Sequence, residues 1–201
     1  VDFFTDPYLV TDRNAFSFRA TSMDGPALDR FKAQAERLIS AQRRFRSHLK
    51  EVSGLTHMQL RDVTKTTPLR NAAEQGEQTA AAWGLGAIPA QRLREVAEQK
   101  LDLSILFVDA DTSISGAACH LEDGDVVLIN RNECEGRRNF DIGHEVFHIL
   151  TWHEMPPEAF ELAEQNFTQK RSRVEMLANS FASGLLMPTA SVKARWGHGT
   201  D

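Results

Sequence analysis

Apolar residues recur every three or four positions over long stretches of this chain, which is the spacing of one buried helical face. From Ala27 to Val52 this spacing predicts a long amphipathic helix. Further helices are predicted at 68–83, 89–100, 137–153 and 171–186, where prolines and glycines mark several of the boundaries. Short apolar runs at 103–108, 113–120 and 125–130 predict strands instead.

This order of elements indicates an α+β fold with a helical region before a small sheet of about three strands, mixed or antiparallel. The Glu-Asp-Gly sequence at 122–124 predicts the turn of a hairpin. Residues 1–25 alternate aromatic and polar side chains and end in a turn signal, so we interpret them as an irregular lead-in. The acidic and then polar segment 155–170 favours a short helix or a flap.

The composition fits one solid core with a smaller accessory region, because 41% of the 201 residues are hydrophobic and 25% are charged. A net charge of -5 excludes a protein that coats nucleic acid nonspecifically, so any such contact must be local. Only Cys119 and Cys134 occur as cysteines, which suits a reducing compartment. Without a secretion signal or a run of 18 apolar residues, we expect a cytoplasmic protein with no membrane contact.

The first long helix is strongly basic on its polar face. Basic residues outnumber acidic residues on this helix. The basic residues are Arg30, Lys32, Arg37, Arg43, Arg44, Arg46 and Lys50. One interpretation is an ordinary solvated helix face. The other is a docking strip for an acidic partner or a phosphate backbone, with Arg37, Arg43, Arg44 and Arg46 as the contacts.

The strongest chemical signal is the H-E-x-x-H motif at His144–His148, which lies on a predicted helix. Two histidines four positions apart lie on one helical face, so both imidazoles can bind one ion. Glu145 stands beside them, where it can take a proton from an attacking water and pass it to a leaving amine. A chance pair of histidines is the alternative, but burying it in an apolar helix without a ligand would be costly.

A catalytic zinc ion usually has three protein ligands, so the sequence must supply a third. The chain has no histidine at the position where a longer H-E-x-x-H-x-x-G-x-x-H motif would place its third one. Glu175 is the best candidate, because it is a carboxylate among apolar residues on a helix that must pack inward. The alternatives are a buried ion pair at Glu175, or ligation by a carboxylate of the acidic stretch, namely Glu158, Glu161 or Glu164.

Several local motifs follow one another in a characteristic order. They are Trp83-Gly84-Leu85-Gly86 with Ile88-Pro89, Ile114-Ser115-Gly116, Ile129-Asn130, Arg137-Arg138-Asn139-Phe140, Glu175-x-x-Ala178-Asn179 and Leu185-Leu186-Met187-Pro188. Over residues 80–190 the chain thereby resembles the ImmA/IrrE-type metallopeptidases. The resemblance implies a zincin-like metallopeptidase domain at 68–201, preceded by the lead-in and basic helix at 1–67. It also implies a gluzincin-like Zn²⁺ site in which Glu175 joins the two histidines.

The resemblance further implies a substrate and a biological role. Members of this family typically cleave a helix-turn-helix repressor, which relieves repression of stress, mobile-element or defence genes. We therefore expect a role in transcription regulation, such as a DNA damage response or anti-phage defence. Apart from the resemblance, the basic helix makes single-stranded DNA a candidate activator. The chain departs from the family at Trp152, where a histidine is common, and the neighbouring His153 has no assigned role.

Two further residues are candidates for supporting roles. Cys119 lies in a predicted strand, 115–120, that as an edge strand of the sheet could border the cleft, where its thiolate could bind zinc and inhibit the enzyme; the alternative is a small buried core residue. Cys134 is a weaker candidate. Asn179 is expected to hydrogen-bond beside Glu175. The rival functional class is a non-proteolytic regulator that grips DNA or a repressor and keeps the zinc for folding or sensing, but Glu145 argues against it.

Overall fold

The computed structural model describes residues 16–20, 26–49, 59–60, 62–111, 113–121, 124–156, 160–162 and 172–196. Its helices are α1 (Pro26–Leu49), α2 (Leu69–Ala82), α3 (Leu93–Leu101), α4 (Glu135–Thr151), α5 (Arg173–Leu186) and α6 (Thr189–Trp196). A short 3₁₀ turn, Pro89–Gln91, precedes α3. Five of these helices lie where the sequence predicts them, and α6 is additional. No helix in the described part of the chain is both long and apolar enough to span a membrane.

Within the described residues, the sheet has five strands, in the order β2-β4-β3-β1-β5. They are β1 (Phe16–Ala20), β2 (Ser104–Val108), β3 (Ile114–Cys119), β4 (Val126–Asn130) and β5 (Phe160–Leu162). Strands β3 and β4 are antiparallel, as a hairpin requires, whereas β2 is parallel to β4. The α+β class and the mixed sheet are therefore confirmed. Residues 122–123 of the hairpin turn lie outside the described residues.

The sheet is wider than predicted, because two strands extend it beyond β3. Strand β1 pairs antiparallel with β3, and β5 pairs parallel with β1. The prediction of an irregular lead-in is therefore wrong for residues 16–20. The expectation that β3 forms a sheet edge is also wrong, because β3 lies between β4 and β1.

The two faces of the sheet belong to different cores. Alternate residues of β3 and β4, such as Ala117 and Leu128, pack with Leu28, Phe31 and Ile39 of α1. The intervening residues face the larger core, which contains α2, α3, α4 and α5. Because successive side chains of a strand point to opposite faces, the sheet separates α1 from the helices that carry the candidate ligands.

Helix α5 is held against α2 by direct backbone contact. A Cβ atom at Gly184 would lie 2.0 Å from the carbonyl oxygen of Ala73, and one at Gly76 would lie 2.2 Å from that of Phe181. Only glycine permits such an approach. At the start of α5, the Arg173 guanidinium donates hydrogen bonds to the carbonyl oxygens of two residues that precede α2. The position of α5, and of any ligand on it, is therefore fixed along its length.

Candidate metal centre

Helix α4 carries three of the predicted site residues and is buried from Asp141 to Thr151. His144 and His148 are 0% exposed, and Glu145 is 1% exposed. The helix lies between the sheet and α5, so neighbouring positions along it meet different partners. His144 and His148 face α5, whereas Glu145 reaches β3.

The two histidines and Glu175 of α5 bring three ligand atoms together. The Nε2 atoms of His144 and His148 are 3.0 Å apart. Glu175 places one carboxylate oxygen 3.2 Å from His144 Nε2 and the other 3.1 Å from His148 Nε2. Within the described residues, no other group of three histidine, cysteine, aspartate or glutamate side chains could hold a metal ion.

The chemistry of these atoms fits a metal ion. His144 Nδ1 donates a hydrogen bond to Asn179 Oδ1 over 3.0 Å, so in the neutral ring the Nε2 atom carries a lone pair. That lone pair faces a carboxylate oxygen and a second imidazole nitrogen, and such a group of acceptors requires a shared cation or proton. Ligands of a tetrahedral zinc at about 2.0 Å lie about 3.3 Å apart, which is close to the separations here.

The ionisation of Glu175 also suits a ligand. Burial alone would raise the pKa of its carboxyl group, but the positive charge and hydrogen bonds that the His144 and His148 rings supply when protonated outweigh burial and hold this pKa far below its usual range. The carboxylate is therefore charged at neutral pH. A charged carboxylate with two imidazoles is the ligand set of several catalytic zinc sites.

Glu145 lies on the sheet side of the same helix. A Cβ atom added to Gly116 of β3 would lie 3.7 Å from Glu145 Oε1, so the carboxylate lies directly against the β3 backbone. Beyond it, Arg137 pairs with the buried Asp141 at 3.2 Å and approaches Ser115 Oγ at 3.4 Å. The surface of α4 that faces β3 thus presents an acid with a cation two turns before it.

Two groups near this surface received no role from the sequence. Asp141 is 0% exposed and fixes Arg137, and its position four residues after Arg137 on a helix was the available signal. At the other end of α4, His120 packs against the rings of Trp152 and His153 and pairs with Asp125 at 2.7 Å. The hydrogen bond to Asp125 raises the pKa of His120, although burial opposes it.

The structure does not bring Cys119 to the candidate metal ligands. Its side chain is 1% exposed and belongs to the core that β3 forms with α1, on the opposite face of the sheet from α4. The structure therefore contradicts a zinc-binding switch at this thiol and favours the buried core interpretation. Cys134 is exposed and precedes α4.

The basic side chains of α1 divide between two environments. Arg46 turns toward the body of the protein and pairs with Asp102 at 2.6 Å. Arg37 and Arg44 are exposed, and Arg43 is half-buried. Lys50, the last basic residue named for this helix, lies outside the described residues. Among the carboxylates considered as alternatives to Glu175, Glu161 lies in β5, whereas Glu158 and Glu164 lie outside the described residues.

Comparison with known families agrees with this geometry. The family described as the IrrE N-terminal-like domain, Peptidase M78, matches residues 88–200. The match includes all four candidate catalytic and ligand residues, together with Asn179. No curated protein matches the chain.

Proposed function

Because the chain belongs to the IrrE N-terminal-like family of metallopeptidases, we propose that it is a zinc-dependent endopeptidase with His144, His148 and Glu175 as ligands and Glu145 as the catalytic acid and base. The observation that carries this proposal is the contact of three ligand atoms between α4 and α5, with Glu145 turned to the adjacent strand. A site built only for folding would not need that carboxylate.

A zinc ion bound there would act as a Lewis acid on the carbonyl of the cleaved peptide bond. Asn179 holds the His144 ring in the tautomer that leaves Nε2 available. Glu145 removes a proton from the attacking water and then delivers it to the leaving amine, which departs as the neutral amine. The buried surroundings of Glu145 exclude bulk water, which strengthens these electrostatic interactions.

The test is the Glu145→Gln variant, which removes the base while leaving all three ligands in place. We expect hydrolysis to fall by at least about 100-fold with zinc still bound at one equivalent. Glu135→Gln is the matched control, because Glu135 is an exposed carboxylate in the first turn of the same helix. Equal and measurable rates of hydrolysis by the Glu145→Gln variant and the wild type would refute the assigned role.

As substrate we propose a helix-turn-helix repressor, whose cleavage derepresses stress, mobile-element or anti-phage defence genes in the cytoplasm. Membership of the family supports this choice. Co-expression with helix-turn-helix repressors from the same genome provides the test, with the Glu145→Gln variant as the control. A repressor that stays intact under inducing conditions with the wild-type enzyme would contradict the choice of substrate.

We also propose that the basic face of α1 receives single-stranded DNA as an activator. The exposed Arg37 and Arg44 support a phosphate contact, and Phe45 between the basic residues is 65% exposed and offers a surface for base stacking. Arg46 is excluded from this role by its pairing with Asp102. The test is to measure hydrolysis with and without a single-stranded oligonucleotide, in the wild type and in the double variant Arg37→Gln/Arg44→Gln. We expect the oligonucleotide to activate only the wild type.

A further inference from the structure

Strand β1 lies at the edge of β3 that a peptide substrate would need. Extended peptides commonly bind by adding a strand to a sheet edge, where the backbone supplies the hydrogen bonds. One edge of β3 is occupied by β4, and the other is occupied by β1. Strand β1 thus occupies the position in which a substrate strand could pair with β3 and also lie near the helix that carries Glu145.

Distance distinguishes this position from the outer edges of the sheet. Neighbouring strands lie about 4.8 Å apart, so a peptide paired outside β5 or outside β2 would be about 14 Å from β3. Glu145 lies against the β3 backbone at Gly116, and a proton transfer needs contact within about 3 Å. A substrate paired at either outer edge would therefore be beyond the reach of Glu145.

The register of β1 places a particular peptide segment at this point. Arg19 is the residue opposite Gly116 in the antiparallel ladder, and facing residues in such a ladder have Cα atoms about 5 Å apart. The register then shifts between Arg19 and Ala20, so Ser115 is an extra residue in β3. At the resulting bulge, Ser115 Oγ lies close to Arg137 of α4. The next residue, Gly116, lies beside Glu145 of the same helix. The irregular part of β3 therefore coincides with the part that meets the catalytic helix.

We propose that Phe16–Ala20 occupies the substrate strand position beside β3, so that the chain blocks its own active site until this strand is displaced. The proposal rests on the peptidase function proposed above and adds to it the mode of substrate binding. The substrate is an extended segment that pairs antiparallel with β3. Such a segment binds there only after it has displaced β1 from β3.

The experiment uses Phe18→Pro in the full chain. Proline lacks the backbone donor and is excluded from a strand flanked on both sides, as β1 is by β3 and β5. Phe18→Val is the matched control, because it keeps the donor and a strand-forming residue. The two readouts are cleavage of fluorescein-labelled casein and binding of a labelled peptide of residues 14–22, measured by anisotropy with zinc content checked.

We expect Phe18→Pro to bind the peptide and to cleave casein at least tenfold faster than the wild type, while Phe18→Val does neither. Excess unlabelled peptide should then slow the variant's cleavage, and the same peptide with proline at position 18 should not. Ser17→Pro, nearer the strand end, repeats the comparison if Phe18→Pro fails to retain zinc.

The remaining outcomes contradict either the blocking role of β1 or the peptidase function. A proline variant that does not bind the peptide, or that cleaves at the wild-type rate, overturns the blocking role of β1 and leaves the peptidase function intact. Zinc-loaded wild type and variants that all fail to cleave both casein and the repressor, although the peptide binds, would instead refute the peptidase function. The blocking proposal would then fail with it.

Discussion

The hydrogen bond from His144 to Asn179 gives the most direct test of how this chain prepares a metal site. In Asn179→Leu the acceptor disappears, and the Nδ1 proton of a ring that is 0% exposed loses its partner. An unsatisfied buried donor costs about 1–3 kcal/mol. The ring can avoid this cost by moving its proton to Nε2, but that tautomer cannot bind the ion. Zinc affinity should therefore fall by about 10- to 100-fold, which is the usual effect of removing such a partner.

The assay is competition for zinc with a chromogenic chelator at fixed pH. Asn179→Asp keeps an acceptor oxygen and should bind zinc at least as tightly as the wild type. Ser183→Ala is a second control, because Ser183 lies one turn further along α5 and donates to the Asn179 backbone carbonyl rather than to the ring. Unfolding measured in excess chelator separates metal affinity from general stability. Zinc affinity within twofold of the wild type in a folded Asn179→Leu would refute the reasoning.

Two further predictions concern stability. Gly184→Ala should lower the free energy of unfolding by about 1–3 kcal/mol, because its Cβ would overlap the carbonyl oxygen of Ala73. Gly136→Ala in α4 meets no atom within 4 Å and should raise the free energy of unfolding by up to about 1 kcal/mol. Chemical denaturation checks both signs, and an equal response at the two sites would contradict the packing argument. The raised pKa of His120 means that its pairing with Asp125 stabilises the fold fully below the unfolded pKa near 6.5 and less as pH rises through the folded value. His120→Asn should therefore cost more stability at pH 6 than at pH 9, and a pH-independent cost would argue against the ion pair.

Local signals in the sequence are sufficient to predict most helices and the side chains that come together as the candidate metal centre. Gly84 and Gly86 adopt positive φ angles of 63° and 79° just after α2, which is why the helix ends there. Glu175 was identifiable because a carboxylate among apolar residues needs a partner, and the structure supplies two imidazoles. Pro188 marks the end of α5 in the sequence, but proline also suits the start of a helix, and α6 begins directly after it.

Contacts between distant parts of the chain were less accessible. The alternation of Phe16 and Phe18 with polar residues was a strand signal, but nothing local indicates that this strand pairs with β3, almost one hundred residues later. The face on which Cys119 lies was also hidden. Ser115 and Gly116 are consecutive, yet both meet groups of α4 at the bulge. Simple alternation therefore assigns Cys119 to one face of the sheet when counted from the start of β3 and to the other face when counted from its end.

The placement of Glu175 and Asn179 one turn apart on α5 has a consequence for how the metal is acquired. One segment delivers both the last ligand and the acceptor that orients the first imidazole, so neither is in place until that segment has docked onto α2. Partly folded chains would offer an ion only two poorly oriented imidazoles. Loading of the metal should consequently be an all-or-none event that follows the docking of α5 onto α2.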